Sequence, residues 1–201
     1  MAMTEQEKRQ HRCCFTGHRP EKLQCSEAAY KMALEGEISR AVDDGFCTFI
    51  SGVAWGVDIV AAEIVLQYRA ANPALHLICA VPHPGFEKRM SESWRKRYLA
   101  VLENADIVRT ISQMQSRSCY QTRNIWMVDR SARVIAIYNG SLISAFDFLH
   151  QSQLIFQLHA IILLFRPFAR PERRIGQNFL QAIHISSAAA VRALSAVTSL
   201  T

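Results

Sequence analysis

The chain has 201 residues, half of them hydrophobic and a fifth charged, with a formal net charge of +6. That length suits one α/β domain with a sizeable core better than two, and the composition excludes a disordered or fibrous protein. Through Gly140 there are 18 Lys+Arg against 15 Asp+Glu, and the last 61 residues hold 5 against 2. Each part therefore contributes +3, which suits a small anionic ligand as well as a polyanion.

The first ten residues, MAMTEQEKRQ, are polar and lack the apolar segment of an export signal. The six cysteines (Cys13, Cys14, Cys25, Cys47, Cys79, Cys119) form no CxxC pair, so free thiols in a reducing, cytoplasmic compartment are expected. Arg12 to Thr16 reads as an apolar strand stopped by Gly17-His18-Arg19-Pro20. From Ser26 to Asp44, Ala29, Met32, Ala33, Ile38, Ala41 and Val42 recur at helical spacing, with Gly45 as the stop. Cys47–Ser51 is a second strand, Val57–Ala71 a helix and His76–Val81 a third strand. Ser91–Asn104 is an amphipathic helix, Asp106–Ile111 a fourth strand, Cys119–Asp129 a helix and Arg133–Tyr138 a fifth strand.

Strands apolar on both faces, alternating with amphipathic helices, predict a Rossmann-like three-layer α/β fold with a mostly parallel sheet. Ligands of such sheets sit beyond the carboxyl ends of the strands. Residues 1–140 form this expected domain, and 141–201 an atypical tail, helical or disordered. The tail's longest apolar run, Ala160 to Phe165, is six residues, far short of the ~20 that span a bilayer, so no membrane partner is expected. An exposed apolar tail would favour a homo-oligomer.

Ser51-Gly52-Val53-Ala54-Trp55-Gly56-Val57-Asp58 joins a strand to a helix. Two glycines permit close backbone approach, and the N–H groups of the following helix attract phosphate. The bland reading is a glycine turn serving strand–helix packing, with Asp58 complementing the helix dipole. Under the ligand reading, valine at Gly52 or Gly56 abolishes binding and spares the fold. Thr16-Gly17-His18-Arg19 lies on the same sheet edge, where Arg19 suits phosphate and His18 can donate a hydrogen bond. Tyr120, Arg123, Asn124 and Trp126 open a later helix, and Asn139-Gly140 closes the last clear strand. Glu63 is the one candidate catalytic carboxylate, with no acidic partner beside it. No P-loop, H-E-x-x-H, Cys/His zinc spacing or G-x-S-x-G elbow is present, so neither a metal site nor serine-type chemistry is expected.

Together CCFTGHRPEKL, FISGVAWGVDIVAAE, AVPHPGFEKRMSESWRKRY and CYQTRNIWMVDRSARVIAIYNG resemble the YpsA-like branch of the SLOG (Smf/DprA-LOG) superfamily over about residues 12–140. The resemblance implies a Rossmann-like fold and a pocket built from Thr16, Gly17, His18, Arg19, Ser51, Gly52, Gly56 and Asp58. Arg123, Asn124, Asn139 and Gly140 would close it. It further implies binding or sensing of a small nucleotide-derived ligand, ADP-ribose- or NAD-like, with no required cofactor, and favours binding over catalysis. The alternatives are an N-glycosidic nucleoside-phosphate hydrolase using Glu63 and a DprA-like binder of single-stranded DNA, a partner the modest charge excess does not favour. Relatives continue past the fifth strand with a Gly-Gly-Thr phosphate loop, where this chain has Ser141-Leu142-Ile143-Ser144-Ala145. A change of reading frame just past Gly140 would account for that departure, and the neighbouring frame of the gene should then encode the missing loop.

Overall fold

The computed structural model describes residues 3–139, 159–166 and 179–185. A short helix α1 (Glu5–Gln10) precedes β1 (Arg12–Gly17), α2 (Glu27–Asp43), β2 (Thr48–Ser51) and α3 (Val57–Ala71). There follow β3 (His76–Val81), α4 (Glu92–Asn104), β4 (Ile107–Thr110), α5 (Cys119–Asp129) and β5 (Arg133–Tyr138). Helix α1 was not expected from the sequence, although Thr4 and Glu7 form a capping box at its start, the spacing that signals a helix N-terminus. Ser26 and Ser91 cap α2 and α4 by accepting from the amides of Ala29 and Trp94.

The strands form one sheet in the order β4-β3-β2-β1-β5-β6-β7. The last two come from the tail: β6 (His159–Arg166) runs parallel to β5, and β7 (Phe179–Ile185) runs antiparallel to β6. The sheet is thus mostly parallel, and the AIILLF stretch is a strand rather than the helix or disorder expected of the tail. An apolar run of that length suits an interior parallel strand, where both faces are covered, and Leu163 is buried. Residues 186–201, Gly140 and the Ser141–Ala145 segment lie outside the described residues.

Alternation along the strands divides the interior. Phe15, Phe49, Leu77, Cys79, Ile135 and Ile137 join the core beneath α2, α3 and α4, where Leu34, Ile38, Ile59 and Ile64 meet them. Cys14, Ile50, Ile78 and Val134 turn to the opposite face, on α5's side. The winding reverses between β1 and β5, so the crevice of the fold opens beyond their carboxyl ends. Among the described residues no helix is long and apolar enough to cross a membrane.

Candidate functional site

The loops after β1 and β2 lie on one rim and touch. A Cβ on Gly17 would stand 2.7 Å from Val57 Cγ2, and one on Gly56 would stand 2.6 Å from Pro20 Cδ. Gly56 takes φ +98°, which only glycine adopts at low cost, and Val53 is held at φ +47° although it is β-branched. The space beside Gly52 is filled by the Arg123 guanidinium. The gap expected between the glycine loops is therefore closed by the protein's own side chains. Valine at Gly52 or Gly56 would collide with the chain itself, which corrects the expectation that such variants spare the fold.

Asp58 and Arg123 form the lock beneath this rim. Arg123 Nη1 stands 3.4 Å from Asp58 Oδ2, both side chains being over nine-tenths buried, and it also donates to the Gly52 carbonyl. Asp58 Oδ2 accepts from the Ala54 amide at 3.4 Å. Ser51 Oγ donates to the Asp58 carbonyl at 2.8 Å and accepts from the Val53 amide at 3.1 Å. Burial pushes the Asp58 carboxyl up to about 6, against the pull of the Arg123 charge and the Ala54 amide. Burial likewise lowers Arg123, with Asp58 opposing. Ser51, Gly52, Asp58 and Arg123 thus serve each other, and a ligand would meet their surroundings rather than these groups.

What the rim presents outward is basic and aromatic. The exposed Arg19 guanidinium lies over the Trp55 ring, 3.6 Å from its centroid, while Trp55 Nε1 donates to Glu21 at 3.2 Å. Beyond Trp55 lie the buried Phe86 and His83, from the loop after β3. His83 Nδ1 stands 2.8 Å from the Pro84 carbonyl, which can only accept, so in the neutral ring Nε2 is left to accept from the Tyr120 hydroxyl 3.4 Å away. Arg89 Nη1 donates to the same hydroxyl at 3.3 Å. A cavity of about 460 Å³ opens there, lined by Arg89, Gln115, Ser116, Arg117 and Tyr120. Burial lowers the Arg19 pKa, with Glu21 opposing and Arg89 adding to the fall. That coupling places both guanidiniums in one field. At the foot of the rim, the amides of Trp55, Gly56 and Val57 meet no acceptor among the described residues.

Thr16 and Gly17 end β1, and the His18 amide donates to the Ile137 carbonyl at 2.9 Å. The His18 ring makes an edge contact with Tyr138, and burial, helped by Lys22, lowers its pKa. Asn139 follows Tyr138 at the same crevice, Asn124 is half-buried beside Arg123 on α5, and Gly140 lies outside the described residues. Glu63 is elsewhere. It accepts from Arg97 at 2.8 and 2.6 Å, and Arg97 reaches Glu27 as well, in the groove between α3 and α4. Sequence reasoning missed Trp55, His83 and Arg89 as site residues, although the PHPGFEKR segment follows a strand on the edge where ligands of this fold sit.

A mostly parallel α/β sheet whose carboxyl rim carries converging loops defines a Rossmann-like protein. The YpsA family model, described as the YspA SLOG family, matches residues 13–157, and the chain belongs to that family. The match passes Gly140 and reaches almost to β6. A UPF0398 protein of Halalkalibacterium halodurans is 29% identical over 111 residues, 54% of this chain and 59% of that protein. UPF0398 proteins of Bacillus cereus strain G9842 and Bacillus thuringiensis strain Al Hakam are 28% identical over 111 residues. The chain thus aligns with about three fifths of the length of these relatives. Among solved structures, DNA processing protein A from Helicobacter pylori, described for its single-stranded DNA binding mode, superposes with TM-score 0.45 at 18% identity. The superposition covers 80% of this chain and 67% of that one.

Proposed function

We propose that the protein binds a small nucleotide-derived ligand of the ADP-ribose or NAD kind on the carboxyl rim of its sheet. The observation that carries this reading is the Arg19–Trp55 stack, joined through the Phe86 ring to Tyr120, whose hydroxyl accepts from Arg89. Aromatic faces and guanidiniums together suit a base with its phosphates. Binding through side chains replaces the glycine cradle expected from the sequence. The hydrolase reading loses its support because Glu63 is committed to Arg97 away from this rim.

A second reading has an observation behind it. Arg19 stacks on Trp55, and Arg89 and Arg117 line the cavity beside Tyr120, the basic and aromatic groups that a stacking platform for a single strand combines. Titration with AMP, ADP-ribose, NAD and an oligothymidine at about 50 and 200 mM salt separates the two. Saturable mononucleotide binding that holds at the higher salt supports the small-ligand reading. Binding of the oligomer alone, falling steeply with salt, refutes it in favour of the strand.

A further inference from the structure

The sheet face on the side of α5 is incompletely covered toward the β4 edge. Register aligns Cys14, Ile50, Ile78 and Ile107 in one row across β1 to β4. Exposure along that row climbs from nothing at Ile50 through 8% at Ile78 to 53% at Ile107. Beside it lies a cavity of about 230 Å³ whose floor is Ile50, Ile78 and Ile107 and whose walls are Arg109, Trp126 and Arg130. Strand β4 pairs with β3 on one side, its other edge meets no strand among the described residues, and all four of its residues are exposed. Val108, on its opposite face, is 46% exposed.

The charge around the slot is predominantly positive, with Arg12, Arg109 and Arg130 lining it against one carboxylate, Glu5. Arg130 lies over the Trp126 ring at 4.5 Å and Arg109 at 5.7 Å. Arg12, at the back of the cavity, is paired with Glu5 at 3.0 Å. Asp129 acts on both Arg130 and Arg9, whereas Arg109 makes no ion pair among the described residues. Burial lowers Arg130, with Glu5 and Asp129 opposing and Arg109 and Arg12 adding to the fall.

We infer that this edge is a docking site for an acidic, extended peptide that continues the sheet beside β4, seats one apolar side chain on the isoleucine floor and sets carboxylates against Arg109 and Arg130. Only a peptide backbone can use the unpaired strand edge, and alternation along it sends one side chain in two toward the slot. A second copy of this chain related by a two-fold axis would bring the same arginines face to face, which like-charge repulsion opposes.

The test is fluorescence anisotropy on the full chain with a short fluorescein-labelled peptide alternating Glu or Asp with Ile, Phe and Val. The acidic peptide should bind at least about tenfold tighter than its counterpart with lysine for each acid, and N-methylation of its backbone should remove binding. Arg109→Glu should weaken binding by about tenfold or more with an unchanged circular dichroism spectrum. Arg130→Gln offers the same readout should that variant fail to fold. Arg19→Ala, on the other rim, should leave peptide affinity as it is. Equal affinity for the acidic and basic peptides overturns the inference. So does oligothymidine binding that Arg109→Glu abolishes while the acidic peptide does not bind, an outcome that assigns the face to nucleic acid.

Discussion

Arg123→Met isolates the lock beneath the rim. In the intact protein Asp58 ionises at about 6 rather than its ordinary 3.8, so its folded form holds a proton that the unfolded chain has released. Between those two values stability falls as pH rises, and above about 6 the full cost of roughly 3 kcal/mol stands. Removing the guanidinium takes away the main influence that favours the charged form. The Asp58 pKa then climbs further, and the variant keeps losing stability with pH where the parent no longer does. Above about 6 the gap widens with pH, by up to about tenfold in the folding constant for each pH unit over which Asp58 of the variant stays protonated. A pH-independent loss of roughly 1–3 kcal/mol accompanies it, because the Gly52 carbonyl loses its buried donor. Urea unfolding of both proteins at pH 6, 7 and 8 reads the difference, and Asp58→Asn added to Arg123→Met should flatten it. A stability gap that stays constant from pH 6 to 8, or that persists in slope after Asp58 is replaced, refutes the buried-pair account.

Gly56→Ala should lower stability by roughly 1–3 kcal/mol in thermal melts, since the backbone there is at φ +98° and Pro20 occupies the Cβ position; an unchanged midpoint would mean the loop has another conformation. Arg19→Ala should weaken nucleotide binding by about tenfold in calorimetry while shifting the melting midpoint little, as its guanidinium is exposed over Trp55. Loss of stability without loss of affinity would make Arg19 a structural group. Glu63→Gln should leave nucleotide affinity unchanged and reduce stability by no more than about 1 kcal/mol, because its pairing with Arg97 is partly solvated.

The first five strands and the helices between them were legible because apolar period and punctuation agreed. Val57–Ala71, His76–Val81, Cys119–Asp129 and Arg133–Tyr138 have the bounds their patterns imply. The tail strands were not legible, since a short apolar run such as AIILLF has no periodicity that separates a buried strand from a buried helix. At the site, the glycines marked the right rim but not what they are for. Arg123 lies 71 residues from the Gly52 carbonyl it meets, and no local pattern says that a helix five elements later will fill the space beside that glycine. Pro20 on Gly56 is likewise a contact between two loops, each read correctly by itself.

Closure of the glycine loops changes what the rim can do. A cradle of main-chain amides holds any phosphate and discriminates little between ligands. Here Val57 against Gly17, Pro20 against Gly56 and Arg123 against Gly52 weld the two loops to α5. Specificity then passes to the side chains mounted on that platform. Trp55 is carried on the welded loop itself, between the fixed Gly52 and Gly56, and Tyr120 sits one turn before Arg123 on α5, so the lock that seals the glycines also sets the distance between the two aromatic faces. Under the proposed nucleotide reading, such an arrangement would select a ligand by the spacing of a base from its phosphates more than by phosphate alone.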